Sequence, residues 1–175
     1  MKRILTGSVL IFLLVGLCRA QEAEKTIVYK YDIKKAIAAP IWRTTKISLE
    51  EASKANADYV LIHMSTYGGQ VDMADSIRTA ILNYPIPVLV FIDNQAISAG
   101  ALISIACDSI YMRPGGNIGA ATVVNQTGEQ VPDKYQSFMR GMMRSTSDSL
   151  SGGAWPETSK YLSKRLFDLV VRASG

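Results

Sequence analysis

The sequence is poor in cysteine and histidine, and this scarcity excludes several kinds of site. Its 175 residues include two cysteines and one histidine. Cys18 lies in an N-terminal segment that we expect to be cleaved, which leaves Cys107 as a single cysteine that cannot form an internal disulfide. Its apolar neighbours predict a packed core thiol. With one histidine and no cysteine pair, the chain has too few soft ligands for a zinc site, so we expect neither a metal nor a cofactor.

Long apolar runs are also missing, except at the N-terminus. Met1-Lys2-Arg3 precedes an apolar run from Ile4 to Leu17 and a small-residue cleavage site at Ala20. This order is typical of a secretory signal peptide, and the run is shorter than the roughly 20 residues of a spanning helix. We predict a signal peptide over 1–20, one domain over 21–151, and an atypical basic tail over 152–175, for which truncation and disorder both stay open. The domain is expected outside the cytoplasm, in the periplasm or on the outer face of the membrane.

An excess of positive charge is absent as well, once the signal is removed. The formal charge of +4 comes from 19 basic and 15 acidic residues, and the loss of Lys2, Arg3 and Arg19 leaves 16 basic residues and a charge of +1. A nucleic-acid partner is therefore not expected. The 48% hydrophobic and 19% charged residues are typical of a globular protein.

The order of apolar segments predicts an α/β fold with a mostly parallel sheet. Short continuous apolar runs are typical of strands buried on both faces, and helical periodicity lies between them. Strands are predicted at 26–33, 59–64, 87–92 and 109–112, helices at 39–55, 71–82 and from 98 onward, and a glycine-rich loop at 113–120. A last helix, capped by Asp133, is predicted to bury one apolar face made of Tyr135, Phe138, Met139, Met142 and Met143.

Ser98 lies where the strand ending at Ile92 gives way to a helix, and this position suits a nucleophile. The first N–H groups of a helix lack intrahelical partners and favour developing negative charge. The alternative is that Ser98 only caps the helix, and from this segment alone the cap is favoured because serine is a common capping residue.

A second turn between a strand and a helix carries Gly68-Gly69. If this turn lies beside the Ser98 turn in a parallel sheet, the N–H groups of Gly69 and Ala99 would point at one oxygen and form an oxyanion hole. The alternative is an ordinary tight turn, since Gly-Gly is common in turns.

A nucleophilic serine also needs a base. His63, the only histidine, lies inside a predicted buried strand and is interpreted as a packing residue, so a Ser-His-Asp triad is not expected. A lysine serves as a base when burial lowers its pKa. Lys134, at the start of the last helix, is the best-placed candidate, and the alternative is a solvated surface lysine.

Four motifs in this order resemble the protease domain of membrane-associated NfeD-type serine proteases, within the Clp protease and crotonase superfamily. They are Ser65 to Asp72, Ala96 to Ala101, Pro114 to Ala120, and Pro132 to Lys134, and the resemblance covers Thr26 to Leu150. It implies a fold of repeated ββα units, a dyad of Ser98 and Lys134, an oxyanion hole from Gly69 and Ala99, and substrate contacts at Gly68, Gln70 and Gly119.

The resemblance also implies an activity and partners. We expect a serine endopeptidase that self-associates, associates with a membrane, and cleaves hydrophobic segments of membrane proteins such as stomatin-like partners. Tyr67 stands where related proteases often carry proline, which should alter the lip of the cleft. Two alternatives stay open: a crotonase-type acyl-CoA enzyme, which a secretory signal disfavours, and a peptide-binding scaffold that lacks a working dyad.

Overall fold

The structure is a computed structural model that describes residues 25–121, 123–125 and 127–151. The predicted signal peptide and the basic tail therefore lie outside the described residues. In the described part of the chain, no helix is both long and apolar enough to cross a bilayer.

Five parallel strands form one sheet in the order β1-β2-β3-β4, with β5 also paired to β3. Strand β4 lies along the first half of β3, and β5 lies along its second half on the same edge. The strands are β1 (Val28–Ile33), β2 (Tyr59–Thr66), β3 (Val88–Ile97), β4 (Ser109–Met112) and β5 (Asn117–Gly119).

Four helices join or follow these strands: α1 (Ala39–Lys54), α2 (Val71–Leu82), α3 (Ala99–Ser104) and α4 (Asp133–Ser151). Neighbouring parallel strands joined by right-handed crossovers place their helices on one face of the sheet. Contacts between α1 and α2, and between α2 and α3, agree with this arrangement. The turns that lead from β2 to α2 and from β3 to α3 therefore meet at the carboxyl edge of the sheet, where open α/β proteins place their sites.

The hydrophobic core lies between the sheet and these helices. Alternate strand residues point into it, among them Ile62, Val90 and Ile92, together with Leu102 and Ile103 of α3. Cys107 is fully buried there, which confirms its predicted packing role, and burial raises the pKa of its thiol. The alternating positions Leu61 and Leu89 are buried outside this core, on the opposite face of the sheet.

Two predicted element boundaries need correction. Strand β3 does not end at Ile92 but continues to Ile97, since Gln95 to Ile97 pair with β5, which lies inside the predicted loop. The last helix begins at Asp133, so Asp133 is its first residue and not a cap that precedes it.

The predicted apolar face of α4 is also divided. Met139 and Met142 are buried, whereas Tyr135 and Phe138 are exposed. All four lie on one side of the helix, at the spacing i, i+3, i+4 and i+7, so helical periodicity alone placed them together in the core. Tyr135 and Phe138 stand nearer the start of α4, before the part that packs against the core.

Candidate active site

Ser98 forms a sharp bend between β3 and α3. Its backbone has φ 53° and ψ −112°, a conformation that is costly for a residue with a Cβ and that recurs at functional sites. Its N–H donates to the carbonyl of Gly119 at 2.7 Å, and its own carbonyl accepts from the N–H of Ala101 at 2.9 Å. The bend is thus fixed on both sides by backbone hydrogen bonds.

The Ser98 side chain does not cap the helix. It occupies the N-cap position, yet its hydroxyl makes no capping hydrogen bond. The prediction of a capping role, which the local sequence favours, is therefore wrong, and the backbone at Ser98 lacks the extended conformation typical of an N-cap residue. A half-buried serine on a strained strand-to-helix bend, with a hydroxyl that no described residue bonds, resembles a nucleophile elbow.

The glycine turn after β2 touches this bend, as the oxyanion hypothesis requires. A Cβ placed on Gly68 would lie 2.9 Å from the Ser98 Cβ and 3.2 Å from the Ala99 nitrogen. Gly68 also has φ 104°, in the left-handed region. Only glycine satisfies both the backbone conformation and the close approach.

Two backbone donors near this contact have no acceptor in the part of the chain that the structure describes. The N–H of Gly68 donates to the Thr66 hydroxyl at 3.1 Å. By contrast, no described residue accepts from the N–H of Gly69, which is exposed, or from that of Ala99, the first residue of α3. Of the two glycines, Gly69 is therefore the one whose N–H has no acceptor in the described part of the chain.

The position of the glycine turn is set by two residues that sequence reasoning missed. The Ile37 N–H donates to the Gly68 carbonyl at 2.8 Å, and the Ile37 carbonyl accepts from the Gln70 N–H at 2.8 Å. The Thr66 hydroxyl donates to the Lys35 carbonyl at 2.8 Å. Thr66 follows the common pattern of a hydroxyl bonded to the N–H two residues on, whereas nothing in the local sequence distinguishes Ile37.

The predicted substrate-contact residues lie around the same bend. Gly68 abuts Ser98, Gln70 is exposed at the N-cap of α2, and Gly119 supplies the carbonyl that holds the Ser98 N–H. Gly100, for which the sequence predicted no role, allows α3 to approach β2, because a Cβ there would lie 2.7 Å from the Thr66 methyl carbon.

Lys134 is not joined to Ser98 in this structure. Its side chain is exposed, and its Nζ lies 4.9 Å from the centre of the Tyr135 ring, within cation–π distance. Among the residues that the structure describes, no hydrogen bond links Lys134 to the Ser98 hydroxyl. The described geometry brings Ser98, Gly69 and Ala99 together and leaves Lys134 at the surface of α4.

The helix that carries Lys134 is nevertheless fixed to the rest of the domain. The Gln136 side chain accepts from the Val123 N–H at 3.0 Å and donates to the Val123 carbonyl at 2.6 Å. Met139 is buried in the core, and Arg78 of α2 hydrogen-bonds to Thr146. Movement of Lys134 toward the bend therefore has to come from its side chain or from the chain just before α4.

His63 has different partners. Its Nδ1 lies 3.2 Å from an Asp32 carboxylate oxygen, and its Nε2 lies 3.5 Å from Asp93. The ring is tilted against Phe91. No described contact joins it to Ser98, in keeping with its interpretation as a packing histidine.

No group of three or more histidine, cysteine or acidic side chains within the described ranges is arranged to hold a metal ion. Where the bend meets the glycine turn, the described part of the chain offers a hydroxyl and two N–H groups that have no hydrogen-bond partner there. Chemically, this arrangement suits nucleophilic attack on a carbonyl, with the donors stabilising the oxyanion that forms.

Comparisons with known proteins show which family the chain resembles. The family model of the NfeD1b N-terminal domain matches residues 27–153. The membrane protein NfeD1b of Bacillus subtilis is 35% identical over 125 residues, which are 71% of this chain and 29% of that protein. The membrane-bound protease PH1510 of Pyrococcus horikoshii is 27% identical over 95% of this chain and 38% of its own length. The chain thus spans less than two-fifths of these relatives.

Solved structures give the same picture. A mutant of the 1510-N membrane-bound stomatin-specific protease, in complex with a substrate peptide, superposes with a TM-score of 0.67 at 27% identity and covers 71% of this chain and 61% of its own. A mutant of ClpP1 from Listeria monocytogenes, at 17% identity and a TM-score of 0.56 over 75% of this chain and 77% of its own, shares the fold alone. The predicted fold class, an α/β fold like that of Clp proteases with a mostly parallel sheet, is confirmed. The chain belongs to the NfeD1b N-terminal domain family.

Proposed function

We propose that this domain is a serine endopeptidase that uses Ser98 as nucleophile and Lys134 as general base. One observation carries the proposal: Ser98 sits on a strained bend in contact with the glycine turn, and neither its hydroxyl nor the Gly69 N–H has a hydrogen-bond partner among the described residues. The protease activity of PH1510 and of 1510-N supports it, since both are related to this chain.

In the acylation step, the Ser98 oxygen attacks the carbonyl carbon of the scissile peptide bond, and its proton passes to the neutral Lys134 amine. The tetrahedral oxyanion accepts hydrogen bonds from Gly69 and Ala99. Each such donor is worth about 3 kcal/mol in comparable sites. The C–N bond then breaks, Lys134 returns the proton to the leaving amine, and an acyl ester remains on Ser98.

Deacylation repeats these steps with water. Lys134 takes a proton from the water, the hydroxide adds to the ester, and the same two N–H groups hold the second oxyanion. Collapse of this intermediate releases the carboxylic acid and returns the proton to Ser98.

The mechanism requires a closure step, because Lys134 is exposed and lies over the Tyr135 ring. A lysine side chain can leave such a contact at low cost, since an exposed cation–π contact is worth about 0.5–1 kcal/mol. A bound peptide, or a second copy of the domain covering the start of α4, would exclude water there and favour the neutral amine.

The setting of the activity belongs to the same proposal. The predicted N-terminal signal supports action outside the cytoplasm, and the membrane-bound relatives support a site close to a membrane. We propose hydrophobic segments of membrane-associated proteins as substrates and a stomatin-like protein as the partner, since 1510-N is a stomatin-specific protease. Self-association is part of the proposal because it supplies one route to closure.

The test combines labelling with cleavage. The purified chain is treated with a fluorophosphonate probe and with a hydrophobic peptide, and Ser98→Ala and Lys134→Ala are compared with matched variants at exposed positions, Ser137→Ala and Lys46→Ala. We expect labelling at Ser98, loss of cleavage in both site variants, and full activity in both matched variants.

A second candidate, a peptide-binding scaffold without a working dyad, is favoured by the exposure of Lys134. Binding of the peptide without labelling or cleavage would support the scaffold and overturn the protease. Full cleavage by Lys134→Ala would leave the protease but remove its proposed base. Absence of labelling together with turnover of an acyl-CoA thioester would support the crotonase-type alternative.

A further inference from the structure

Tyr67 is an aromatic residue that does not pack in the hydrophobic core. It is 80% exposed, more than any other large hydrophobic residue in the described part of the chain. Its ring lies outside the hydrophobic core, and its hydroxyl has no hydrogen bond to a described residue. A single exposed aromatic residue is ordinary on a protein surface, so its meaning depends on where it lies.

Its location is the rim of the candidate site. Tyr67 directly precedes Gly68, so their α-carbons are about 3.8 Å apart. Gly68 in turn contacts Ser98, with its Cβ position 2.9 Å from the Ser98 Cβ. On the other side of Gly68 stands Gly69, whose N–H is the proposed oxyanion donor. A carbonyl held between Ser98 and Gly69 therefore lies within one or two residues of Tyr67.

The backbone on both sides of Tyr67 is fixed, although its side chain is free. Thr66 is buried, and its hydroxyl joins the Lys35 carbonyl to the Gly68 N–H. The Gly68 carbonyl accepts from Ile37. An exposed ring on such a rigid support can bind a ligand without the cost of ordering a loop.

We propose that Tyr67 is a specificity-determining residue, which binds an apolar side chain of the substrate at one of the two positions that flank the scissile bond. A tyrosine ring offers a large apolar face with few rotatable bonds, and it favours aromatic and aliphatic partners over charged ones. The inference rests on the proposed function, because it assigns a substrate contact to that same site.

The test is a comparison of cleavage profiles. The chain and its Tyr67→Ala, Tyr67→Phe and Ile47→Ala variants are given a mixed peptide library, and the residues on both sides of each cut are determined by mass spectrometry. Ile47 serves as control because it is an exposed apolar residue on α1, remote in sequence from the bend. Fluorophosphonate labelling of Ser98 and the melting temperature are measured for each variant.

We expect the unmodified chain to prefer apolar residues at one flanking position. Tyr67→Ala should lose this preference and about tenfold in kcat/KM for apolar substrates, mainly through KM, while its labelling rate and melting temperature stay unchanged. Tyr67→Phe should keep the preference because it keeps the ring, and Ile47→Ala should behave like the unmodified chain.

Two results separate the failure of this inference from that of the proposed function. If the unmodified chain cleaves peptides and Tyr67→Ala retains the same preference, the role of Tyr67 is refuted and the protease stands. If the unmodified chain neither cleaves peptides nor labels at Ser98, the protease is refuted, and the inference falls with it.

Discussion

Replacement of Gly68 by alanine tests the contact on which the candidate site is built. The new Cβ would lie 2.8 Å from the Ile97 carbonyl oxygen, 2.9 Å from the Ser98 Cβ and 3.2 Å from the Ala99 nitrogen. The first and third of these are backbone atoms, so they cannot rotate away as a flexible side chain would. Relief of the overlap must therefore move the glycine turn and the Ser98 bend apart.

The cost has two parts. A φ of 104° lies in the left-handed region, where a residue with a Cβ loses about 1–2 kcal/mol. Overpacking against fixed neighbours adds about 1–3 kcal/mol. For a chain of this size each kcal/mol lowers the melting temperature by about 2–4 °C, so we expect a fall of at least about 4 °C.

The assay is thermal unfolding followed by circular dichroism, with fluorophosphonate labelling as a second readout. Displacement of a nucleophile by about 1 Å costs about 100-fold in rate, so labelling of Ser98 should fall by a similar factor. Gly141→Ala is the matched control, because a Cβ at Gly141 meets nothing within 4 Å and alanine favours the helix by about 0.5–1 kcal/mol.

The two glycine variants should therefore change stability in opposite directions. A Gly68→Ala chain that melts at the temperature of the unmodified protein would refute the close approach of the two turns. That outcome would not depend on whether the domain is a protease.

Two further predictions concern buried groups. Thr66→Val removes the hydroxyl that joins the Lys35 carbonyl to the Gly68 N–H, and should lower the free energy of unfolding, measured by chemical denaturation, by about 1–3 kcal/mol. Thr66→Ser keeps the hydroxyl and should retain most of this stability. Equal losses in both variants would contradict the bridging role. Cys107 is buried, which raises the pKa of its thiol, so it should resist iodoacetamide at about pH 8 in the folded chain and react in urea. Peptide mass mapping reads the modification, and equal labelling of Cys107 in folded and unfolded chains would refute its burial.

Most of the fold could be predicted because its strands and helices carry unambiguous periodicity. Helix α2 begins at Val71 and ends at Leu82 as predicted, and the strand at 109–112 is confirmed. Strand β3 was predicted too short because its second half is polar, from Asp93 to Gln95. Those residues pair with β5, and no local pattern reveals a partner that lies 22 residues further along the chain.

The candidate site was predictable in part. Residue types indicated Ser98 and Gly69, and the parallel sheet brings their turns together. The sequence could not reveal that Ser98 adopts a positive φ, since the hydrogen bond that accompanies this conformation joins its N–H to the carbonyl of Gly119, which is distant along the chain. Nor could it place Lys134, because a helix start followed by apolar residues is equally compatible with a buried and an exposed amine.

The way in which Ile37 holds the glycine turn has a consequence for how this site tolerates change during evolution. Both of its hydrogen bonds to the turn come from main-chain atoms. Exchange of one side chain for another of similar size at this position would leave them in place. An insertion or deletion in the short connection between β1 and α1 would instead place a different peptide group beside Gly69 and break these hydrogen bonds. We therefore expect this connection to vary in residue type but to keep its length wherever the site is functional.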